Sequence, residues 1–214
     1  IIINFNKYFS NISADFFITK IIIDKLKSKY IFVSQNFKFG KNRLGSINTL
    51  KKLEKKYLYK VIITTPYQRN KKLISSTLIR KSISDGKIVE AKKLLGRPWA
   101  IEGKVMKGEQ RGRKIGFPTC NIKWNSYVLP KLGVYAVQVE FKNFKKKGIA
   151  NVGYRPTFSG KTLLLEVNIF GIKANLYKKT LKISFIKFIR PEKRFKNINE
   201  LKNQIKKDIT KAKK

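Results

Sequence analysis

A change of rhythm at Gly96-Arg97-Pro98 limits what this chain can fold into more than any other feature. Glycine ends helices readily and proline cannot continue one, so the tripeptide is a breaker. Ahead of it, over 1–96, strand-like and helix-like stretches alternate. Tyr30-Ile31-Phe32-Val33-Ser34 and Lys60-Val61-Ile62-Ile63-Thr64 are short runs of β-formers. Between them, residues 48–57 carry Leu50 and Leu53 at helical spacing. Residues 13–29 predict another helix, with Phe17, Ile21, Ile22 and Leu26 on one side. Such alternation predicts an open parallel sheet with helices on its faces. Two short helices close this half. Ser75 and Ser76 can cap one that begins near Thr77 and stops by Gly86; Ile88, Ala91 and Leu95 mark the next, ending at Gly96.

Beyond the breaker, over 97–214, the period falls to two. Tyr135, Val137, Val139 and Phe141 alternate with Ala136, Gln138 and Glu140. Leu165, Val167 and Ile169 face one way, while Leu164, Glu166, Asn168 and Phe170 face the other. Leu181, Ile183 and Phe185 repeat the pattern. Several strands at short spacing with glycine-rich turns predict a small closed barrel. The tail reverts to a helical stripe of Ile198, Leu201, Ile205 and Ile209, opened by Asn197 and Glu200 in a capping-box arrangement.

The stretch richest in chemistry is G-E-Q-R-G-R-K-I-G-F-P-T-C-N, residues 108–121. Gly108, Gly112 and Gly116 let the backbone turn sharply and approach a ligand. Free N–H groups in such a turn form an anion-binding concavity, and Arg111 and Arg113 add charge. Thr119 and Asn121 alternate with Cys120, so in an extended segment both point the same way. A hydroxyl and an amide oxygen are hard ligands, suited to Mg²⁺ carrying nucleotide phosphates. Glycine and arginine spacing alone is equally met by a plain surface loop.

Composition sets the context. Fifty Lys plus Arg against twelve Asp plus Glu give a net charge of +38. That is the footprint of a nucleic-acid binder, yet the lysines are spread over the whole length. Lys, Ile and Asn share AT-rich codons, so genome composition is expected to account for much of the charge, with no specific nucleic-acid partner. The charge also suits an enzyme that attracts a nucleoside triphosphate. Fifteen Phe and nine Tyr argue for a folded protein. No apolar run reaches the length of a membrane span. The single cysteine, Cys120, excludes an internal disulfide and fits a reducing, cytoplasmic setting. Ile1-Ile2-Ile3-Asn4-Phe5 predicts a buried strand rather than a leader, since no basic region precedes it. Met106 is the sole methionine, and the chain is expected to begin inside a longer protein.

From Leu94 onward the sequence resembles the riboflavin kinase module of bacterial bifunctional riboflavin kinase/FAD synthetases. The matching pieces run in order: LLGRPWAIEGKV (94–105), GRKIGFPTCNI (112–122), LPKLGVYAV (129–137), ANVGYRPTFSG (150–160), LLEVNIF (164–170), LYKKTLKISFIKFIRPEKRF (176–195) and LKNQIKKD (201–208). The front half resembles the later part of the family's FMN adenylyltransferase domain in SADFF (13–17), NFKFGKNRLG (36–45) and ISSTLIR (74–80). The resemblance implies an incomplete Rossmann-like nucleotidyltransferase domain over 1–96. A Greek-key β-barrel kinase domain with a C-terminal helix follows over 97–214. It implies transfer of the ATP γ-phosphate to riboflavin, giving FMN, with Mg²⁺. Gly108, Gly112, Arg113, Gly116 and Pro118 then serve ATP, and Thr119 and Asn121 serve the metal and the phosphates. Glu166 matches the family's catalytic glutamate, on what reads as a polar inward face of its strand; a base there can take the hydroxyl proton. Arg190 and Glu192 fall on the riboflavin side, an ion pair of Arg190 with Glu192 or Glu200 being the alternative.

Three departures stand out. Cys120 replaces the family's usual Ala, Asn168 stands where His is usual, and Gly171 stands where an acidic residue is usual. In the front half, Ser75, Ser76, Thr77 and Arg80 remain of the adenylyltransferase site, where hydroxyls at a helix start with a nearby arginine can bind phosphate. Phe39-Gly40-Lys41 also remains. The chain has no histidine, whereas the resemblance implies a His-x-Gly-His-type motif for adenylylation. FMN adenylyltransferase activity is therefore expected only in a longer form. The competing expectations are a basic nucleic-acid-binding protein and a decayed kinase that binds flavin without turnover.

Overall fold

The computed structural model describes residues 2–65, 68, 69, 72–157, 160–172 and 174–214. Ile1 of the expected first strand and Phe158-Ser159 of the A-N-V-G-Y-R-P-T-F-S-G stretch lie outside them. The chain divides into two compact units, Ile1–Ile74 and Ser75–Lys214.

In the first unit, α1 (Lys7–Ser10) follows the cap Asn6, and α2 (Ala14–Phe16) follows the cap Ser13. The helix then widens into a π-helical stretch, Phe17–Lys25. β1 (Tyr30–Ser34) runs parallel to β4 (Lys60–Thr64), in register from Tyr30↔Lys60 to Ser34↔Thr64. Between them come the short hairpin of β2 (Lys38–Phe39) and β3 (Gly45–Ser46) and the helix α3 (Ile47–Tyr57). Ser46 and Thr49 close a reciprocal capping box at the start of α3. Leu50 points fully into the core beside Ile18, Ile22, Val33 and Val61. The strand–helix–strand rhythm is therefore present as a parallel pair with its crossover helix. A last hairpin, β5 (Gln68–Arg69) with β6 (Lys72–Leu73), closes the unit.

Two expectations fail here. Residues 2–6 form no strand, and Ile2 is almost wholly exposed; no described strand offers them a ladder. The helix over 13–29 forms, but its buried stripe is Ile18, Ile21 and Ile22, while Leu26 is exposed. The cause is the wide turn. Leu26 N–H donates to the carbonyl of Ile21, five residues back, so a period of 3.6 no longer places Leu26 on the stripe.

The second unit opens with α4 (Ser76–Ser84), capped by Ser75, and α5 (Ile88–Leu95), ended by Gly96 in the left-handed region at φ 71°. The strands follow: β7 (Ala100–Met106), β8 (Cys120–Lys123), β9 (Gly133–Phe141), β10 (Phe144–Thr157), β11 (Gly160–Ile169) and β12 (Thr180–Arg190). They close a barrel in the order β10-β11-β8-β7-β12-β9, every pair antiparallel. β8 lies beside β11 rather than β9, the non-sequential neighbour that makes a Greek key. Tyr135, Val137, Val139, Leu165, Val167 and Phe185 fill the interior with their neighbours. The helix-to-strand change falls at Gly96–Pro98 as read from the sequence, but the compact unit begins earlier. Ile83, Ile88 and Ala91 of the two helices belong to the same buried cluster as the barrel interior.

The C-terminal helix α7 (Ile198–Lys213) lies on the outside of the barrel. Ala212 and Ile209 pack there on Val134, Ala136 and Ile149. The stripe is shifted from the expected one. Ile198 is exposed, and the most buried residue of α7 is Asp208, 1 % exposed. The cap is also modified: Asn197 Oδ1 accepts from Glu200 N–H, but Glu200 accepts from Lys196 N–H rather than from Asn197.

Candidate active site

A loop of residues 107–119 joins β7 to β8, with the short turn α6 (Arg111–Lys114) inside it. Phe117 N–H donates to the Gly112 carbonyl at 2.8 Å and folds the loop back on itself. A Cβ on Gly112 would stand 3.3 Å from Thr119 Oγ1 and closer still to the Phe117 carbonyl. A Cβ on Gly108 would overlap the side-chain amide of Asn121. Two glycines of the loop thus lie against the two polar residues that follow it. Gly116 has a different reason, a φ of 90° with open space around it.

The pleat then sorts the motif. Ile122 fills the barrel interior and Cys120 packs partly against it, so Thr119 and Asn121 take the other face, as their alternation requires. Burial pushes the Cys120 thiol up from its ordinary pKa, which keeps it protonated and apolar. On β11, Leu165 and Val167 point inward and Glu166 outward. The expected inward face for Glu166 is thereby corrected: the interior is filled by apolar side chains, and the carboxylate stands on the outer wall. There the registers align Met106, Asn121, Glu166 and Asn151 in one row across four strands. Directly opposed residues in antiparallel strands bring their Cβ atoms to about 5 Å. Asn121 and Asn151 therefore flank Glu166 on either side.

Asn151 was not singled out from the sequence. Its only signal is a lone amide in the apolar run I-A-N-V, within the A-N-V-G stretch. Beside it, Glu192 reaches over β10. Its carboxylate occupies the space where a residue larger than Gly153 would carry a Cβ, and Asn151 Nδ2 lies 3.5 Å from that point. Glu192 thus joins the outer row.

Arg190 does not pair with Glu192 or Glu200. Its Nε and Nη2 each donate to Oδ2 of Asp208 at 2.8 Å, and Gln204 Nε2 donates to Oδ1 at 2.8 Å. A guanidinium at the end of β12 meets the one carboxylate that α7 buries, and both oxygens are satisfied. Arg190 holds the helix to the barrel.

A cavity of about 590 Å³ opens at the end of the barrel between the 107–119 loop and the connection from β11 to β12. Arg113, Pro118 and Thr119 line one side, and Ile172, Asn175 and Tyr177 the other. Gln110 Nε2 donates to Tyr177 Oη at 3.4 Å, bridging the two sides. Arg111 is turned away, paired with Glu109 at 2.5 Å. Thr119 thus belongs to the cavity, while Asn121 and Glu166 stand beside it on the outer wall. Gly171, where an acidic residue was the family's usual, takes φ 72° in the turn after β11, a conformation that favours glycine.

Among the described residues no three His, Cys, Asp or Glu side chains gather as a metal cage. The donors present are a hydroxyl, an amide oxygen and a carboxylate. Such oxygen donors fit Mg²⁺, which keeps most of its waters and arrives with phosphates.

The remaining candidates lie elsewhere. Ser75 Oγ accepts from Leu78 N–H at 3.2 Å and so caps α4, while Ser76, Thr77 and Arg80 are on that helix. They belong to the barrel's unit, whereas Phe39-Gly40-Lys41 belongs to the first. A groove of about 450 Å³ in the first unit is lined mainly by apolar residues such as Ile2, Ile3, Phe9 and Phe16, with Asn4, Tyr8 and Lys25 at its wall, and holds none of the candidate site residues.

Comparison with known proteins places the two halves in different family models, with the first match running on past Ile74 into the start of α4. The family model described as riboflavin kinase matches residues 95–214, and the one described as FAD synthetase matches residues 1–78. A bifunctional riboflavin kinase/FMN adenylyltransferase of Buchnera aphidicola subsp. Schizaphis graminum is 44 % identical, aligned over 99 % of this chain and 69 % of its own length. The protein of that name from Escherichia coli strain K12 is 36 % identical over 96 % of this chain and 66 % of its own length. A crystal structure described as a macrolide-efflux protein from Streptococcus pneumoniae is 35 % identical with a TM-score of 0.84, covering 98 % of this chain and 67 % of that one. Among the described residues of this chain, no helix is long and apolar enough to cross a membrane.

Proposed function

The chain belongs to the bifunctional riboflavin kinase/FMN adenylyltransferase family, and from that premise we propose that it transfers the γ-phosphoryl group of ATP to the 5′-hydroxyl of riboflavin. The products are FMN and ADP. The observation that carries the proposal is the pairing of Asn121 with Glu166 across β8 and β11, next to a cavity edged by Thr119 and Arg113. In this reading the triphosphate lies in the cavity, against the turn made by Gly108, Gly112 and Gly116. Pro118 shapes its exit and Arg113 offsets its charge. Thr119 and Asn121 would hold Mg²⁺, which when bound neutralises charge developing on the phosphates. Glu166 accepts the hydroxyl proton as oxygen attacks the γ-phosphorus, and the bond to the bridging β,γ-oxygen breaks to release ADP. Riboflavin approaches from the outer wall, where Glu192 and Asn151 border Glu166; Arg190 serves that side by anchoring α7. The kinase module is assigned to 97–214, supported by α4 and α5, and the compartment to the cytoplasm. Ser75, Ser76, Thr77 and Arg80 are assigned to the adenylyltransferase site of a longer form. These 214 residues, without histidine, are expected to make no FAD.

The test is a flavin product assay with riboflavin, ATP and Mg²⁺. Wild-type protein should yield FMN and no FAD. Glu166→Gln should lower kcat by roughly 10²–10⁴, the usual contribution of a positioned base. Thr119→Ala should lower kcat/KM for ATP with flavin binding intact. Undiminished turnover in Glu166→Gln would remove the proposed base.

A further inference from the structure

We propose that Asn168 is a positioning residue for this reaction, its side-chain amide fixing the Pro118–Thr119 peptide at the cavity's edge. The inference rests on the kinase reading above. β8 and β11 pair through Leu165↔Ile122, Glu166↔Asn121 and Val167↔Cys120, where the ladder ends. One step further the register sets Asn168 opposite Thr119. In place of a ladder bond, Asn168 Nδ2 donates to the Pro118 carbonyl at 2.6 Å. A carbonyl can only accept, so the amide must present its nitrogen to it.

The consequence is geometric. Asn168 and Glu166 are two residues apart on one strand, hence on one face and about 7 Å apart along it. The strand that carries the proposed base therefore also carries the clamp on the peptide leading into Thr119. The other side of Thr119 is a loop with three glycines, which has little stiffness of its own. Its internal bond from Phe117 to Gly112 closes the loop but does not tie it to the barrel. The Asn168 bond does, and it ties the loop to Glu166's strand. Distance between the phosphate-binding hydroxyl and the base is then set by strand geometry rather than by the loop.

The experiment compares wild type with Asn168→Ala, Asn168→Asp and Asn168→His. FMN formation is followed with ATP and riboflavin varied separately, and MgADP binding is measured by calorimetry. Losing one such hydrogen bond should raise KM for ATP and Kd for MgADP about fivefold in the Ala variant. Asp, which offers only acceptors to a carbonyl, should do at least as much harm. His can donate a ring N–H to the same oxygen and should return both values to within about twofold of wild type. KM for riboflavin and the thermal midpoint should barely move, because the side chain is half-exposed. An Ala variant with unchanged KM for ATP and unchanged Kd would overturn the proposal. So would parallel losses in riboflavin KM and stability, which mark a merely structural bond. If wild type makes no FMN, the kinase reading fails, and the MgADP series alone still decides whether Asn168 positions the nucleotide site.

Discussion

Gly108 and Gly116 sit in one loop for different physical reasons, and a substitution separates them. Gly116 needs its positive φ and has space around it, whereas the place of a Cβ on Gly108 is taken by the Asn121 amide. Gly108→Ala should displace Asn121 and lower kcat/KM for ATP roughly 10- to 100-fold, as misplacement of about 1 Å can. Steady-state kinetics checks this, and the far-UV spectrum should stay unchanged. The alternation of Thr119, Cys120 and Asn121 was legible in the sequence because a strand has a strict period of two. The side of the barrel wall to which Glu166 belongs was not. Alternation separates two faces without saying which one a barrel fills, and only the apolar Leu165 and Val167 in the interior decide it. Asn151 was silent for a related reason, and Asn168 showed only as a departure from the family's His: an isolated amide acquires its role from the residue that register sets opposite it.

The ion pair of Arg190 and Asp208 belongs to the scale of elements, since it joins the end of β12 to α7. Asp208 has 2 % of its side chain exposed and Arg190 18 %, so removing either partner leaves the other charge uncompensated and largely shielded from water. Asp208→Ala should destabilise the barrel unit by about 3 kcal/mol or more. The double change Arg190→Met with Asp208→Leu should recover much of that loss, because a well-packed apolar pair can replace a buried ionic one. Both tryptophans, Trp99 and Trp124, lie in this unit, so their fluorescence in urea reads the transition. Elements themselves were well marked in the sequence. β1, β4 and α5 end where composition says, and caps at Ser75 and Asn197 form. The partner of Arg190 was not marked, since 18 residues and a helix docking separate it from Asp208. The stripe of residues 13–29 was misread at Leu26, since periodicity analysis assumes the 3.6-residue turn that the π-helical stretch abandons.

At the scale of the molecule, the compact barrel unit starts at Ser75, while the riboflavin kinase match starts at 95. The helices α4 and α5 bury Ile83, Ile88 and Ala91 in the barrel's own cluster. A piece of residues 97–214 would leave that apolar surface open to water. It should aggregate or lose cooperative unfolding, whereas residues 75–214 should melt in one transition and keep FMN formation; calorimetric melting and gel filtration distinguish the two. Fold class was readable from the change of rhythm at Gly96-Arg97-Pro98. The start of the compact unit at Ser75 was not, because a breaker marks where local structure changes and says nothing of which neighbour a helix packs on.

The outward placement of Asn121, Glu166 and Asn151 has a consequence for how such a protein can change. Interior and exterior positions alternate along the same strands, so the positions that fill the barrel and those of the proposed site share a backbone but hardly share volume. Mutations at Asn121, Asn151 or Glu166 can alter what is bound without opening a void, unlike changes at Ile149, an outward residue of β10 that α7 covers. Evolution, or a designer's library, can therefore explore new ligands on this wall while the barrel behind it stays the same.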